Sequence, residues 1–305
     1  MRRYVVRRLL LLGPVVFGIL VAVFVLMRVV PGDPVRLMAG FDVDEATVRA
    51  LRRELGLDRS IPVQFTYYVG QLARGDLGVS LRSRRPVVQE VGDRFRKTLV
   101  LAVTSTVVAA LIGAAVGIVS AYRHRTGFDY VAMIGSVLGV SVPSYFLGIL
   151  LILLFAVMLN WLPSGGSGTP RHLILPALTL AASSTSIIAR MTRSSMLEVL
   201  VTAYVRTGRA KGLLERGVVL RHALPNALVP VLTVTGLEFG FILGGAILVE
   251  TVFSYPGVGW MMVEAIGTRD FPIVQGGVLL VALSFVLINF LVDLLYAVLD
   301  PRIRY

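Results

Sequence analysis

Six long apolar runs set the terms for any fold of this chain: residues 9–30, 98–122, 130–159, 172–196, 226–250 and 273–298. A helix rises about 1.5 Å per residue and the hydrocarbon core of a bilayer is roughly 30 Å thick, so about 20 apolar residues cross it. Each run meets that length, and none alternates with period two as a membrane β-strand would. Backbone groups in lipid must bond within their own segment, which leaves helices. The pattern predicts an all-α integral membrane protein with six transmembrane helices. Composition agrees. Of 305 residues, 56% are hydrophobic and 16% charged, against about 45–50% and 25% in soluble domains.

The net charge of +12 raises nucleic acid as a partner, but its distribution argues against one. Arg2, Arg3, Arg7 and Arg8 precede the first run, and Arg123 and Arg125 follow the second. Arg190, Arg193, Arg206, Arg209, Lys211, Arg216 and Arg221 surround the fourth-to-fifth connection, and Arg302 and Arg304 lie near the end. The short connections on the other side carry only Arg171 and Arg269. This positive-inside asymmetry predicts both termini and the 197–225 loop in the cytoplasm. The loop 31–97 holds twelve basic residues, but loops that long escape the rule. The first run is too long for a signal-peptide core and no A-x-A-like site follows it, so it is expected to remain as a span. Cysteine is absent, which excludes disulfides, a thiol nucleophile and cysteine metal sites.

Residues 31–97 are expected to form a small external cap. Asp44 can cap a helix over Glu45–Leu55 with Gly56 as the stop, and Pro62 suits the first turn of a second helix running to Gly75. Residues 78–82 are expected to be extended, and Pro86 to open an amphipathic segment leading into the second run. The Gly/Ser/Pro-rich connection 160–171 reads as a surface turn. His124, His172 and His222 stand far apart at predicted membrane boundaries, so no metal site is expected.

The basic stretch 203–230 is more structured than a plain turn requires. Residues 204–211 allow two helical turns, and Gly212 is placed to end them in a left-handed cap. A second short helix through Val218 and Leu220 would follow, with Pro225 at the entry to the fifth run. The residues leave two readings open, a docking knob for a cytoplasmic partner or an amphipathic loop lying on anionic lipid.

Here the chain resembles the permease subunits of ABC importers. Their coupling loop carries Glu-Ala-Ala, three residues, Gly, then Leu-Pro about a dozen positions on. Arg206, Thr207 and Gly208 fall on the first three positions, followed by Arg209, Ala210 and Lys211; Gly212 falls on the glycine, and Leu224 and Pro225 on the Leu-Pro. The departures at the first and third positions are similar to the dipeptide, oligopeptide and nickel branch, whose version reads like RTARAKG. Further matching segments are PGDP at 31–34, LGLD at 55–58, RGDLG at 74–78, LPALT at 175–179 and GGAILVE at 244–250. Phe253 with PGVG at 256–259 and DLLYAVLDPR at 293–302 complete the set, in order, over nearly the whole chain.

The resemblance implies one permease domain, 1–305, in a bacterial or archaeal cytoplasmic membrane. It implies half of a pathway for di- or oligopeptides, a homologous second permease, two cytoplasmic ATPase subunits or domains that bind ATP and Mg, and an external substrate-binding protein. Nickel chelates and glutathione are near alternatives as cargo. The only lysines, Lys97 and Lys211, lie in no phosphate-binding loop, so this chain is expected to bind no nucleotide or other cofactor and to be no enzyme. A proton-coupled carrier is the rival of another class; it would usually carry internal repeats, and none is visible. A membrane enzyme would need a catalytic constellation, and none is visible either.

Within the spans, Gly236, Gly240 and Gly244 form a seam for close helix approach. Glu238, about 200° round the helix, is a candidate for the pathway or for a packed, hydrogen-bonded role. Asn289, Asp293, Tyr296 and Asp300 make a polar stripe on the sixth run, with Asn289 and Asp293 as pathway candidates. Phe253, Pro256, Gly257 and Gly259 are candidates for an external gate or a binding-protein contact.

Overall fold

The computed structural model describes residues 2–29, 44–54 and 58–299. Helix α1 (Arg2–Val29) is followed by two cap helices, α2 (Glu45–Glu54) and α3 (Ile61–Ala73). Asp44 precedes α2 as expected and accepts the Thr47 hydroxyl at 2.5 Å; that bond holds its carboxyl below the ordinary range. Helix α3 lies on α1 through aromatic edges, Phe65 against Phe17 and Phe24. Residues 78–82 do not form a strand. Val79 and Pro86 make one isolated antiparallel bridge, and residues 80–86 turn back on themselves.

Helix α4 (Val87–Tyr122) has 36 residues, about 54 Å at helical rise, so it outruns the bilayer. Its N-terminal end, Val87 and Val91, packs with Val258, Met261, Met262 and Ile273 outside the main core. The third apolar run is not one straight span. It divides into α5 (Gly127–Ser141), α6 (Ser144–Leu151) and a π-helical turn, π1 (Ile152–Met158), bent by 104° at the break. Pro143 causes this, because proline drives the preceding residue out of the helical region, and Val142 is extended with ψ 122°.

Helix α7 (Arg171–Leu200) forms the centre. It meets α4 where glycines remove side chains. A Cβ on Gly117 would stand 2.6 Å from the Ala189 carbonyl oxygen, and one on Gly113 2.8 Å from that of Thr185. The chain continues through α8 (Ala203–Ala210), α9 (Glu215–Gly217) and a second π turn, π2 (Val218–Ala223). It ends with α10 (Leu224–Val252), the short α11 (Val258–Gly267) and α12 (Phe271–Leu299). Leu101, Leu175, Ala177, Leu243 and Val249 fill the core between α4, α7 and α10. Hydroxyls inside the spans bond back to their own helix, as Ser105 does to the Leu101 carbonyl at 2.7 Å, which satisfies them in lipid.

Among the described residues, four helices are long and apolar enough to span, and the bent pair makes a fifth. In α1 the described apolar stretch, Leu10–Val25, is shorter. Leu111, Val131 and Phe241 are each about two-thirds exposed. Such surfaces are liabilities in water and ordinary where lipid or a partner span covers them.

Candidate coupling site and its supports

Helix α8 is a short knob on the end of α7. Val205 is fully buried against Ala121, Met196, Val218 and Ala223, so the inner face is fixed by packing. Gly208 is buried beside Leu213 and Val218. Gly212 takes the left-handed conformation expected of it, φ +75°, and its amide bonds to the Arg209 carbonyl at 3.0 Å. Arg209 bridges the turn to Glu215 at 2.6 Å and donates to the Leu200 carbonyl at 3.3 Å. The Glu215 carboxylate raises the guanidinium further above its already high range. Asn226 ties the other side to the Tyr204 hydroxyl at 3.0 Å.

Arg206, Thr207, Ala210, Lys211 and Gly212 are all exposed. Leu214, which sequence reasoning passed over, is 84% exposed, with Leu213 beside it. Two leucines after a glycine stop, with no helical face to join, were the available signal. A rigid basic knob tipped with bare leucine is suited to a complementary protein surface. The expected second short helix is corrected: α9 and π2 run without a break into α10. Leu224 and Pro225 begin α10, where Pro225 was expected at the entry to the fifth run. Proline is tolerated there because it follows the π turn Val218–Ala223, where the i→i−4 ladder is already interrupted and a missing N–H removes no regular bond.

Beneath the knob lies a polar clamp. Asp129, at the start of α5 and 2% exposed, accepts Arg193 Nε at 2.6 Å and Nη2 at 2.8 Å from α7. It also accepts the Ser120 hydroxyl from α4 and the Arg125 amide at 3.0 Å, with His124 Nδ1 at 3.2 Å. Ser120 and Arg193 lie within one turn of Ala121 and Met196, which carry α8. Arg193 entered the sequence reading only as one positive charge among many, and Asp129 not at all.

On the opposite face, Glu250 is fully buried. It accepts the Thr98 hydroxyl at 2.6 Å and the amides of Gly259 and Trp260 at 2.7 and 3.2 Å. Thr98 Oγ1 in turn accepts the Val258 amide at 2.9 Å. Glycines stand where side chains cannot: a Cβ on Gly257 would overlap the Glu250 carboxylate, and one on Gly259 the Ile247 Cα. Phe253, Gly257 and Gly259 are all buried. Gly257 and Gly259 face Glu250 and Ile247, and Phe253 lies in the core with Leu101, Leu175 and Leu243. Pro256 is partly exposed, and its carbonyl accepts Arg94 at 3.3 Å.

Glu238 is 8% exposed and accepts the Ser184 hydroxyl at 2.6 Å. This geometry places it in the packing between α7 and α10, the hydrogen-bonded one of its two expected roles. It does lie away from the glycine seam, of which Gly236 and Gly240 meet Val292 and Phe285 of α12, while Gly244 meets nothing within 4 Å. Asn289 bonds to its own helix at the Phe285 carbonyl, 2.9 Å. Asp293 pairs with Arg8 of α1 at 2.7 Å. The Tyr296 side chain and Asp300 lie outside the described residues. Among the described residues, no group of His, Asp and Glu side chains could hold a metal.

An inward-facing structure of the MetNI methionine ABC transporter superposes with a TM-score of 0.56 at 20% identity, over 69% of this chain and 96% of that one. An amino acid ABC transporter crystallised with histidines gives 0.52 at 15% identity, over 70% and 94%. The model of the "Binding-protein-dependent transport system inner membrane component" family matches residues 113–305, and its N-terminal counterpart residues 1–102.

The chain belongs to that family, in its dipeptide, oligopeptide and nickel branch. It is 47% identical over the full length of both chains to the "Glutathione transport system permease protein GsiC" of Salmonella choleraesuis (strain SC-B67). It is 46% identical, again over both full lengths, to that of Escherichia coli (strain K12). The protein is thus a membrane-embedded ABC permease, a transport subunit and not itself an enzyme.

Proposed function

We propose that this chain forms half of the pathway of an importer for short peptides, with glutathione the first candidate cargo. Full-length identity of 47% to permeases named for glutathione transport carries the reading. The substrate arrives on an external binding protein and crosses between this chain and a second permease. ATP and Mg bind on partner ATPases. Both termini and residues 197–225 face the cytoplasm, where α8 and the Leu213–Leu214 tip seat in an ATPase. The test is uptake of labelled glutathione and of a labelled dipeptide by proteoliposomes holding the whole assembly. ATP-dependent glutathione uptake is expected. Uptake that follows a proton gradient and ignores ATP removal would overturn the reading, and uptake of the dipeptide alone would shift the cargo.

The knob supplies its own prediction. Gly212 has open space around its α-carbon, so Gly212→Trp acts through backbone and surface, not through the core. A left-handed L-residue is less stable by roughly 1–2 kcal/mol, and the ring projects where the ATPase seats. Membrane insertion should be retained while ATP-driven uptake falls at least about tenfold, equivalent to about 1.4 kcal/mol of coupling. Gly212→Asn, which tolerates this conformation, should keep most uptake. Parent-level uptake in the tryptophan variant would remove the coupling assignment.

A further inference from the structure

On the face away from the coupling knob, four arginines surround one buried carboxylate. Asp270, between α11 and α12, is 4% exposed. It accepts the Ser80 hydroxyl and the amides of Leu81 and Arg82 at 3.2 and 3.3 Å. These bonds draw the turn at 80–86 onto the end of α11. The turn also closes on itself, Ser80 N–H to the Arg85 carbonyl at 3.0 Å and Arg84 N–H to the Ser80 carbonyl at 3.1 Å. Arg82, Arg84, Arg85 and, on the other side of the hub, Arg269 are exposed. The turn is therefore rigid, and its charge points outward.

Two of the four hold a conformation that suits glycine. Arg84 has φ +59° and Arg269 φ +57°, in the left-handed region that L side chains avoid. Neither side chain has an ion pair or hydrogen bond among the described residues. Arg82 and Arg85 do reach acids, Glu264 at 3.0 Å and Asp93 at 3.9 Å, but both pairs are open to solvent and contribute little. Glycine would relieve the backbone at 84 and 269 and lose no internal contact. Strain kept at an exposed site without internal return points to something outside the chain.

Beside the turn opens a cavity of about 440 Å³ lined by Arg82, Arg85, Arg94, Glu90, Asp93 and Glu264 among others. Glu90, Asp93 and Glu264 divide the positive charge into separate fixed points, a pattern that suits acids set at matching positions on a protein better than a continuous layer of lipid phosphates. We propose that the arginine turn at 80–86, with Arg269, is a docking face for an acidic patch on the external substrate-binding protein. This rests on the importer reading and its sidedness. A preorganised turn loses little freedom on binding, and its exposed charges act mainly on the rate of encounter.

The test uses the double variant Arg84→Gly, Arg269→Gly in the complete reconstituted assembly. ATP hydrolysis is titrated with binding protein at low and high salt, in phosphatidylcholine vesicles with and without phosphatidylglycerol. The concentration of binding protein for half-stimulation should rise about tenfold at low salt, and its salt dependence should flatten. Basal hydrolysis should be unchanged, and the thermal midpoint unchanged or higher. An unchanged titration would overturn the proposal. A lowered midpoint would also overturn it, since the arginines would then be structural. A variant effect that appears only with phosphatidylglycerol would assign the face to lipid instead. No stimulation of the parent by any binding protein would overturn the importer reading, and the docking face with it.

Discussion

Arg193→Ala is expected to lose about 3–5 kcal/mol of stability, the range for breaking a buried ion pair by removing one partner. Asp129 has a side chain only 3% exposed, while that of Arg193 is 23% exposed, so the two halves of the pair are not equivalent. Without Arg193 the carboxylate stays buried with a hydroxyl, one amide and a half-exposed imidazole. Without the carboxylate, Arg193 has partial access to water. Asp129→Asn should therefore be milder than Arg193→Ala, and the double variant Asp129→Ala, Arg193→Met should lose less than the sum of its parts. Thermal unfolding of the purified protein in detergent checks this order. A loss under about 1 kcal/mol in Arg193→Ala, the scale of a surface pair, would show that water already reaches the clamp.

The same substitution should disturb coupling, because of where the clamp sits. It joins α4, α5 and α7 within one turn of Ala121 and Met196, the floor on which Val205 packs. A force applied to α8 reaches the spans through that floor. If the three ends move as one body, displacement of the knob becomes rotation of the bundle. If they slip, part of the displacement is lost locally.

The spans were legible because membrane thickness is a length, and a run of apolar residues measures it directly. The bend in the third span was less so, since hydropathy records depth and not direction, and Pro143 was read through. The knob was legible because its stop depends on one backbone conformation, which Gly212 announces. Asp129 and Arg193, 64 positions apart, were not: their pairing depends on which faces of α5 and α7 meet, a contact in which Gly139 of α5 stands against Ser186 and Ala182 of α7. The segment at 253–259 was singled out, but its packing on Glu250 was not. A tight Pro-Gly sequence suits a mobile gate or a packed corner equally, and only the partner decides. That partner, Glu250, stood at the end of an apolar run as one more boundary residue.

Glu250→Ala should accordingly separate transport from ATP hydrolysis. The carboxylate receives three donors from two other helices. Alanine leaves the Thr98 hydroxyl and two amides in a dry site with a void beside them. An unsatisfied buried donor is worth about 1–3 kcal/mol, and the three share one network, so their losses do not simply add. A total of about 3–5 kcal/mol is expected, falling on the attachment of α11 rather than on the bundle. Glu250→Gln should fall between, because its amide oxygen can still accept from Gly259 and Trp260. Gly259→Ala tests the same contact from the other side: its methyl group would meet the Ile247 backbone and stand 3.0 Å from Glu250 Oε2. In each variant the chain at 254–260 should become open to protease. Uptake should fall while hydrolysis by the ATPase partners continues, in the order Glu250→Ala, Gly259→Ala, Glu250→Gln. If Glu250→Ala transports like the parent and resists protease, α11 is held by its apolar contacts with Val87, Val91 and Ile273, and the network is incidental. The burial argues otherwise: a carboxyl group with no water contact persists only where its donors are fixed, and here two of the three donors belong to the first turn of the helix it holds.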